Sequence, residues 1–252
     1  MSALSSPVVI RKTWLSRKPR SIASLVAAWM ILLLVLSSVF YWQNALQAQS
    51  WMPASGESIF ERKEFFRLWT ALFAHGDLGH LLSNSLSVFV LGYFMAGYFS
   101  LWFFPGAAIA LGGLINLLTL FSYEPQIKLI GISGVVYWMG GAWLTLYLLL
   151  DQQRSLAQRF LRSLGVALAV FMPTSAFDPT ISYLCHGYGF LVGVLSGALF
   201  YFLFRKKFLS ALVVEQLLEE NDENPVSNDF LNSTSSQGTI ATGRSYARED
   251  DP

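Results

Sequence analysis

The sequence predicts an all-α membrane protein of six transmembrane helices followed by a polar C-terminal tail, and three observations carry that prediction. Hydrophobic residues make up 54% of the 252 and charged residues only 13%, with a mean hydropathy of +0.46, a balance typical of chains whose main solvent is lipid. Apolar runs recur at the length a helix needs to cross hydrocarbon, roughly 20 residues. Lysine and arginine gather in alternate connections between those runs, which is the bias that orients membrane helices.

The leading segment, 1–20, holds Arg11, Lys12, Arg17, Lys18 and Arg20 and reads as a basic cytoplasmic segment. The first apolar run, 22–42, is too long for a signal peptide and has no small-residue cleavage pattern. Further runs follow at 78–98, 103–121, 129–150, 160–176 and 184–204, the fifth being the shortest. Arg154 and Arg159 follow the fourth run, and Arg205, Lys206 and Lys207 close the sixth. With six crossings all three basic groups lie on one side, so both termini are expected in the cytoplasm. The connections 43–77, 122–128 and 177–183 then share the opposite side. The membrane domain is 21–204, and 205–252 is expected to be a cytoplasmic tail. There a short helix gives way to a largely disordered stretch containing Glu219, Glu220, Asp222 and Glu223.

Because the basic clusters flank apolar runs, they read as topology signals, with the lipid bilayer as partner and no nucleic acid. Cys185, the one cysteine, cannot form an internal disulfide and reads as a small packing residue. No Gly-rich phosphate loop and no Cys/His spacing of the metal-binding kind occurs, so neither a cofactor nor a metal is expected.

Polar and ionisable groups within spans cost several kcal/mol unless paired or solvated, so each is a functional candidate. The three histidines, His75, His80 and His186, all fall near the non-cytoplasmic face by this topology. His80 and Asn84 are four residues apart and share one side of a helix. Gly131-Ile132-Ser133-Gly134 opens the fourth span at the same face. A serine hydroxyl becomes a nucleophile when a neighbouring base takes its proton, which a histidine does near neutrality. Glycines beside that serine let helices and a substrate backbone come close. His80, Asn84 and the Ser133 N–H are the donors available to an oxyanion. Singly, each of these has a structural explanation, as a helix-bonded histidine, a packing serine or interhelical asparagine glue. Their joint placement at one depth points to a nucleophile, a base and an oxyanion hole.

These residues resemble the rhomboid family of intramembrane proteases. His75, His80 and Asn84 in HGDLGHLLSN match its second-span pattern, and Gly131, Ser133, Gly134 and Tyr137 in GISGVVYWMGG match its serine motif. His186, Gly189 and Gly193 match its sixth-span His-x-x-Gly-x-x-x-Gly, and RLWTALFAHGDLGH resembles the stretch that leads into the second span. The resemblance implies a six-transmembrane-helix rhomboid bundle and a Ser-His dyad without a catalytic carboxylate. Ser133 is then the nucleophile, His186 the general base and acid, and His80 and Asn84 the oxyanion donors. Tyr137 packs on the His186 imidazole, His75 supports the loop, and Gly131, Gly134, Gly189 and Gly193 allow close approach. Asp77 is expected to cap the second-span helix, Arg67 to fold the loop, and Asp178 to be a solvated loop residue. Two positions depart from the family: Phe66 stands where a tryptophan often precedes the loop arginine, and Ala96 where some members carry a glutamate.

The implied activity is intramembrane serine endopeptidase, hydrolysing peptide bonds in or near transmembrane segments of membrane proteins. The implied location is a cell inner membrane, multi-pass, with the active site opening to the periplasmic side. A catalytically inactive rhomboid-like binding or chaperone protein is the alternative, although such relatives usually lack the serine or histidine. A membrane haem protein with two histidine ligands leaves Ser133 and Asn84 unexplained. Substrate identity, cleavage site and oligomeric state are not encoded in any pattern found.

Overall fold

A chain in hydrocarbon must satisfy its backbone polar groups internally, and this one does so with helices. The computed structural model describes residues 8–171 and 182–216. In chain order these are β1 (Val8–Lys12), α1 (Ala23–Trp42), α2 (Ala48–Trp51), β2 (Ala54–Ser55), α3 (Arg67–Thr70), α4 (Leu78–Tyr98), α5 (Ala108–Leu120), β3 (Lys128–Leu129), α6 (Ser133–Leu150), α7 (Leu156–Phe171), α8 (Tyr183–Leu203), α9 (Arg205–Leu209) and β4 (Val213–Gln216).

Among the described residues five helices are long and apolar enough to cross a membrane: α1, α4, α5 extended back to Trp102, α6 and α8. They coincide with five of the six predicted runs. The 129–150 run is trimmed, because Lys128–Leu129 pairs antiparallel with Ala54–Ser55 and Gly131 turns at φ 107° before the helix starts. The 160–176 run corresponds to α7, which begins earlier, at Leu156. Its 16 described residues span about 24 Å, short of a hydrocarbon core of roughly 30 Å, and its first half carries Arg159 and Arg162. Residues 172–176 of that run lie outside the described residues, as do Asp178 and the tail from 217 onward.

Helix α6 is the centre of the bundle. Its span is 56% buried, against 28% for α1 and for α8, and it packs against α4, α5, α7 and α8. Lipid gives no hydrophobic drive between helices, so close approach at small residues does the work. A Cβ on Gly189 would overlap the Gly134 carbonyl oxygen, one on Gly193 the Trp138 carbonyl oxygen, and one on Gly141 the Phe190 carbonyl oxygen. Backbones of α6 and α8 therefore touch along more than two turns, and Trp138 Nε1 adds a 2.9 Å bond to Ser196 Oγ between them.

The two ends of the bundle differ as the charge pattern predicts. At one end β1 pairs antiparallel with β4, and Gln153, between α6 and α7, donates to the Arg11 carbonyl. All three Lys/Arg-rich segments meet there. The short helix expected beyond Phe208 does not begin there: α9 ends at Leu209 and the chain extends into β4, Val213–Gln216, whose partner is β1. At the other end the 43–77 connection folds back on itself. Buried Arg67 donates from Nη1 to the Ser50 and Pro53 carbonyls, at 2.7 and 3.2 Å, and from Nε to Glu64 at 2.7 Å. The Arg67 guanidinium holds the Glu64 carboxyl below its usual range. Trp69 presses on Gly113 of α5, where a Cβ would stand 2.7 Å from its Nε1.

Candidate active site

Three segments converge at this second end: the start of α4, the turn into α6 and the first turns of α8. Asp77 begins α4 with extended backbone, and its Oδ1 accepts the His80 N–H at 2.8 Å. This N-cap satisfies an orphan donor of the first turn and fixes where the helix starts. The register then puts His80 and Asn84 on one face, one turn apart.

That face meets the turn before Ser133. A Cβ on Gly131 would lie 2.6 Å from His80 Cε1, and the positive φ there is one that L side chains rarely adopt. The Gly131 N–H donates to the Ala71 carbonyl at 2.8 Å, anchoring the turn to the loop below α4. Ser133 is the first residue of α6. Its N–H belongs to the first helical turn, whose amides have no intrahelical acceptor and carry the positive end of the helix dipole. Asn84 is 5% exposed, and its Nδ2 has no hydrogen-bond partner among the described residues. A buried amide left unpaired is costly, and the chemistry it fits is donation to a group that arrives later.

The third segment brings His186. Its imidazole lies flat on the Tyr137 ring, centroids 4.0 Å apart and planes 11° apart. Tyr137 is one turn beyond Ser133 on the same face of α6. The backbone contact of Gly134 with Gly189 sets the spacing of the two helices at this level, and Cys185 Sγ packs against Gly134, where a Cβ would stand 2.7 Å away. Ser133, His80 and His186 keep partial exposure, whereas Gly131, Gly134, Asn84 and Gly189 are buried.

His75 supports from the loop. It is fully buried, its Nδ1 is 2.9 Å from Ser38 Oγ of α1, and its carbonyl accepts from Trp42 Nε1 at 2.7 Å. Its ring stands edge-on to His80, centroids 5.1 Å apart. Burial, with His80 nearby, pushes its pKa down from 6.5 to about 4, so it is neutral at physiological pH. Among the described residues no group of three His, Cys, Asp or Glu side chains is arranged to hold a metal ion.

Every predicted site residue thus gathers in one region, with Gly193 two turns below His186 holding α8 against Trp138. Sequence reasoning did not single out Ser38, Ser196 or the pairs Tyr123–Ser182 (2.8 Å) and Ser122–Tyr188 (3.1 Å), which tie the connection before α6 to α8. Ser38 and Ser196 were findable as polar residues inside apolar runs. Tyr123, in the loop before α6, carried no such signal.

A comparison with protein-family models matches residues 62–202 to the Rhomboid domain, more than half of the chain. No curated protein matches the chain. The matched stretch runs from the loop held by Arg67 to the last turns of α8 and contains every predicted site residue, so this multi-pass membrane protein belongs to the rhomboid family, whose members are usually intramembrane serine proteases and otherwise non-catalytic relatives.

Proposed function

We propose that the chain is an intramembrane serine endopeptidase that cuts transmembrane or membrane-entering segments of other proteins with a Ser133–His186 dyad. The observation that carries this reading is the His186 ring lying flat on Tyr137, four residues after Ser133, on helices in backbone contact. An imidazole held there faces the serine side of α6 and has one rotational freedom fewer to lose in the transition state.

The steps follow from the groups present. Ser133 Oγ attacks the scissile carbonyl carbon while His186 takes its proton. The carbonyl oxygen becomes an oxyanion that accepts from His80, from Asn84 Nδ2 and from the Ser133 N–H. His186 then returns the proton to the departing amine, leaving an ester on Ser133. Water, deprotonated by His186, hydrolyses that ester and restores the serine. A helical substrate keeps its carbonyls bonded, so the segment must unwind near the interface before it can be cut. The basic-end segments are assigned to the cytoplasm and the site to the periplasmic side of a bacterial inner membrane, as the lysine and arginine bias favours.

The test is cleavage of a single-span substrate in liposomes by wild type, Ser133→Ala and His186→Ala, with a fluorophosphonate probe in parallel. Wild-type cleavage and Ser133 labelling, both lost in the serine variant, support the proposal. Folded wild type that neither cleaves nor takes the probe favours a non-catalytic rhomboid relative.

A further inference from the structure

At the basic end of the bundle, opposite the Ser133 region, a cavity of about 360 Å³ opens between the segment before α1, the end of α4 and the junction of α8 with α9. Its lining has two characters. Phe99, Phe200 and Phe208 form an aromatic floor, with Phe99 edge-on to the other two at centroid distances of 5.7 and 6.3 Å. Arg17, Lys18, Arg20 and Lys207 line it as cations.

These four cations do different things. Arg20 donates to the Ala96 and Phe99 carbonyls, which α4 leaves without backbone donors at its C-terminus, so its role is structural. Arg17 and Lys207 stand over the Trp14 ring, at 4.1 and 5.5 Å from its centroid, and Trp14 is pinned by a 2.8 Å bond from Nε1 to the Tyr98 carbonyl. Lys18 is exposed. Among the described residues no carboxylate lines the cavity, and none of the ion pairs includes these four side chains.

Like charges gathered around a concave site without a counter-ion repel one another, and an anion relieves that cost. The cavity lies where α1 starts and α4 and α8 end, the level at which a span meets lipid headgroups. A soluble phosphate has no use for an aromatic floor, and a neutral lipid has no use for the cations. We propose that this cavity binds the phosphate of an anionic phospholipid from the leaflet at the basic end, its glycerol and first methylenes resting on the floor of Phe99, Phe200 and Phe208.

The test is lipid retention by native mass spectrometry of the full chain in detergent, titrated with phosphatidylglycerol, phosphatidylcholine or inorganic phosphate, with thermal stability read in parallel. Wild type should retain phosphatidylglycerol over phosphatidylcholine by about tenfold or more. Arg17→Gln/Lys207→Gln should lose most of that preference. Arg205→Gln/Lys206→Gln, which removes the same charge from neighbouring positions outside the lining, should keep it. Equal loss in both variants means diffuse charge and overturns the site. Wild type that does not distinguish the two lipids overturns it too, and stabilisation by inorganic phosphate equal to that by phosphatidylglycerol overturns the lipid assignment. If the double variant does not fold, Lys18→Gln, at an exposed position, is read against the same controls.

Discussion

The backbone of α8 at Gly189 rests directly on the carbonyl of Gly134, one residue beyond Ser133, with no room for a methyl group between them. Helix spacing at this level therefore sets how far His186 stands from α6. Gly189→Ala should force the helices apart, costing on the order of 1–3 kcal/mol of stability and most of the turnover. Gly187, two residues earlier, has none of the described residues within 4 Å of where a Cβ would be, so Gly187→Ala is the matched control and should be near neutral. Thermal denaturation and cleavage rates of the two variants check this. Gly189→Ala with wild-type turnover would refute the spacing argument.

The Tyr137 stack is the second lever on His186. Tyr137→Phe keeps the ring surface and should retain much more activity than Tyr137→Leu, which removes it. An aromatic contact is worth about 0.5–1.5 kcal/mol, so Tyr137→Leu should lower kcat by roughly 2- to 10-fold through this contact alone. Equal rates for the two variants would mean that the imidazole is oriented by something else.

Spans and site faces were legible in the sequence because their signals are local. A run of apolar residues fixes a span within a residue or two, as at Leu78–Tyr98, and Asp77 before such a run marks its start. The His80–Asn84 face follows from helical period alone. What was not legible depends on distant partners. Ala54–Ser55 pairs with Lys128–Leu129 from more than seventy positions away, and β1 with β4 from about two hundred. The loop also bends at Asn44, Leu46, Gln47 and Lys63, all with positive φ and none a glycine, so only Asn44 is of a type that announces such a bend. Helix α7 was placed late because Leu156 to Arg159 form an amphipathic start, which an apolar-run criterion skips.

Arg67 holds that loop through contacts a lysine cannot copy, two carbonyls and a carboxylate reached by one planar group. Arg67→Ala leaves the Ser50 and Pro53 carbonyls without this donor. Bonds to a charged group are worth about 1.5–3 kcal/mol each, so the variant should melt earlier and expose the 43–77 connection to protease. Limited proteolysis in detergent measures it. Arg67→Lys should fall between, and wild-type resistance in Arg67→Ala would show that the loop is held elsewhere.

His75 predicts a pH dependence of stability. Its pKa is about 4 in the folded chain and 6.5 when unfolded, so the unfolded state takes up the proton first as pH falls. The stability this neutral histidine confers is complete above about pH 6.5 and is lost progressively down to about pH 4, on the order of 3 kcal/mol in all. His75→Gln removes the titrating group, so its stability should fall less steeply over that window, whatever its absolute level. Parallel slopes for the two proteins would place the acid sensitivity in other groups.

Asn84 separates catalysis from stability most sharply. Its Nδ2 is buried and has no hydrogen-bond partner among the described residues, so at rest it weakens the fold. Asn84→Ala removes that unpaired donor and should leave thermal stability unchanged or slightly raised. If the amide waits for the oxyanion, the same change removes a hydrogen bond made only in the transition state, and kcat should fall by about 10²-fold or more with KM nearly constant. A structural asparagine would give the opposite pattern, with stability lost and turnover per folded molecule preserved. Measuring both quantities on one preparation distinguishes the two roles, and a variant that keeps kcat removes Asn84 from the oxyanion set.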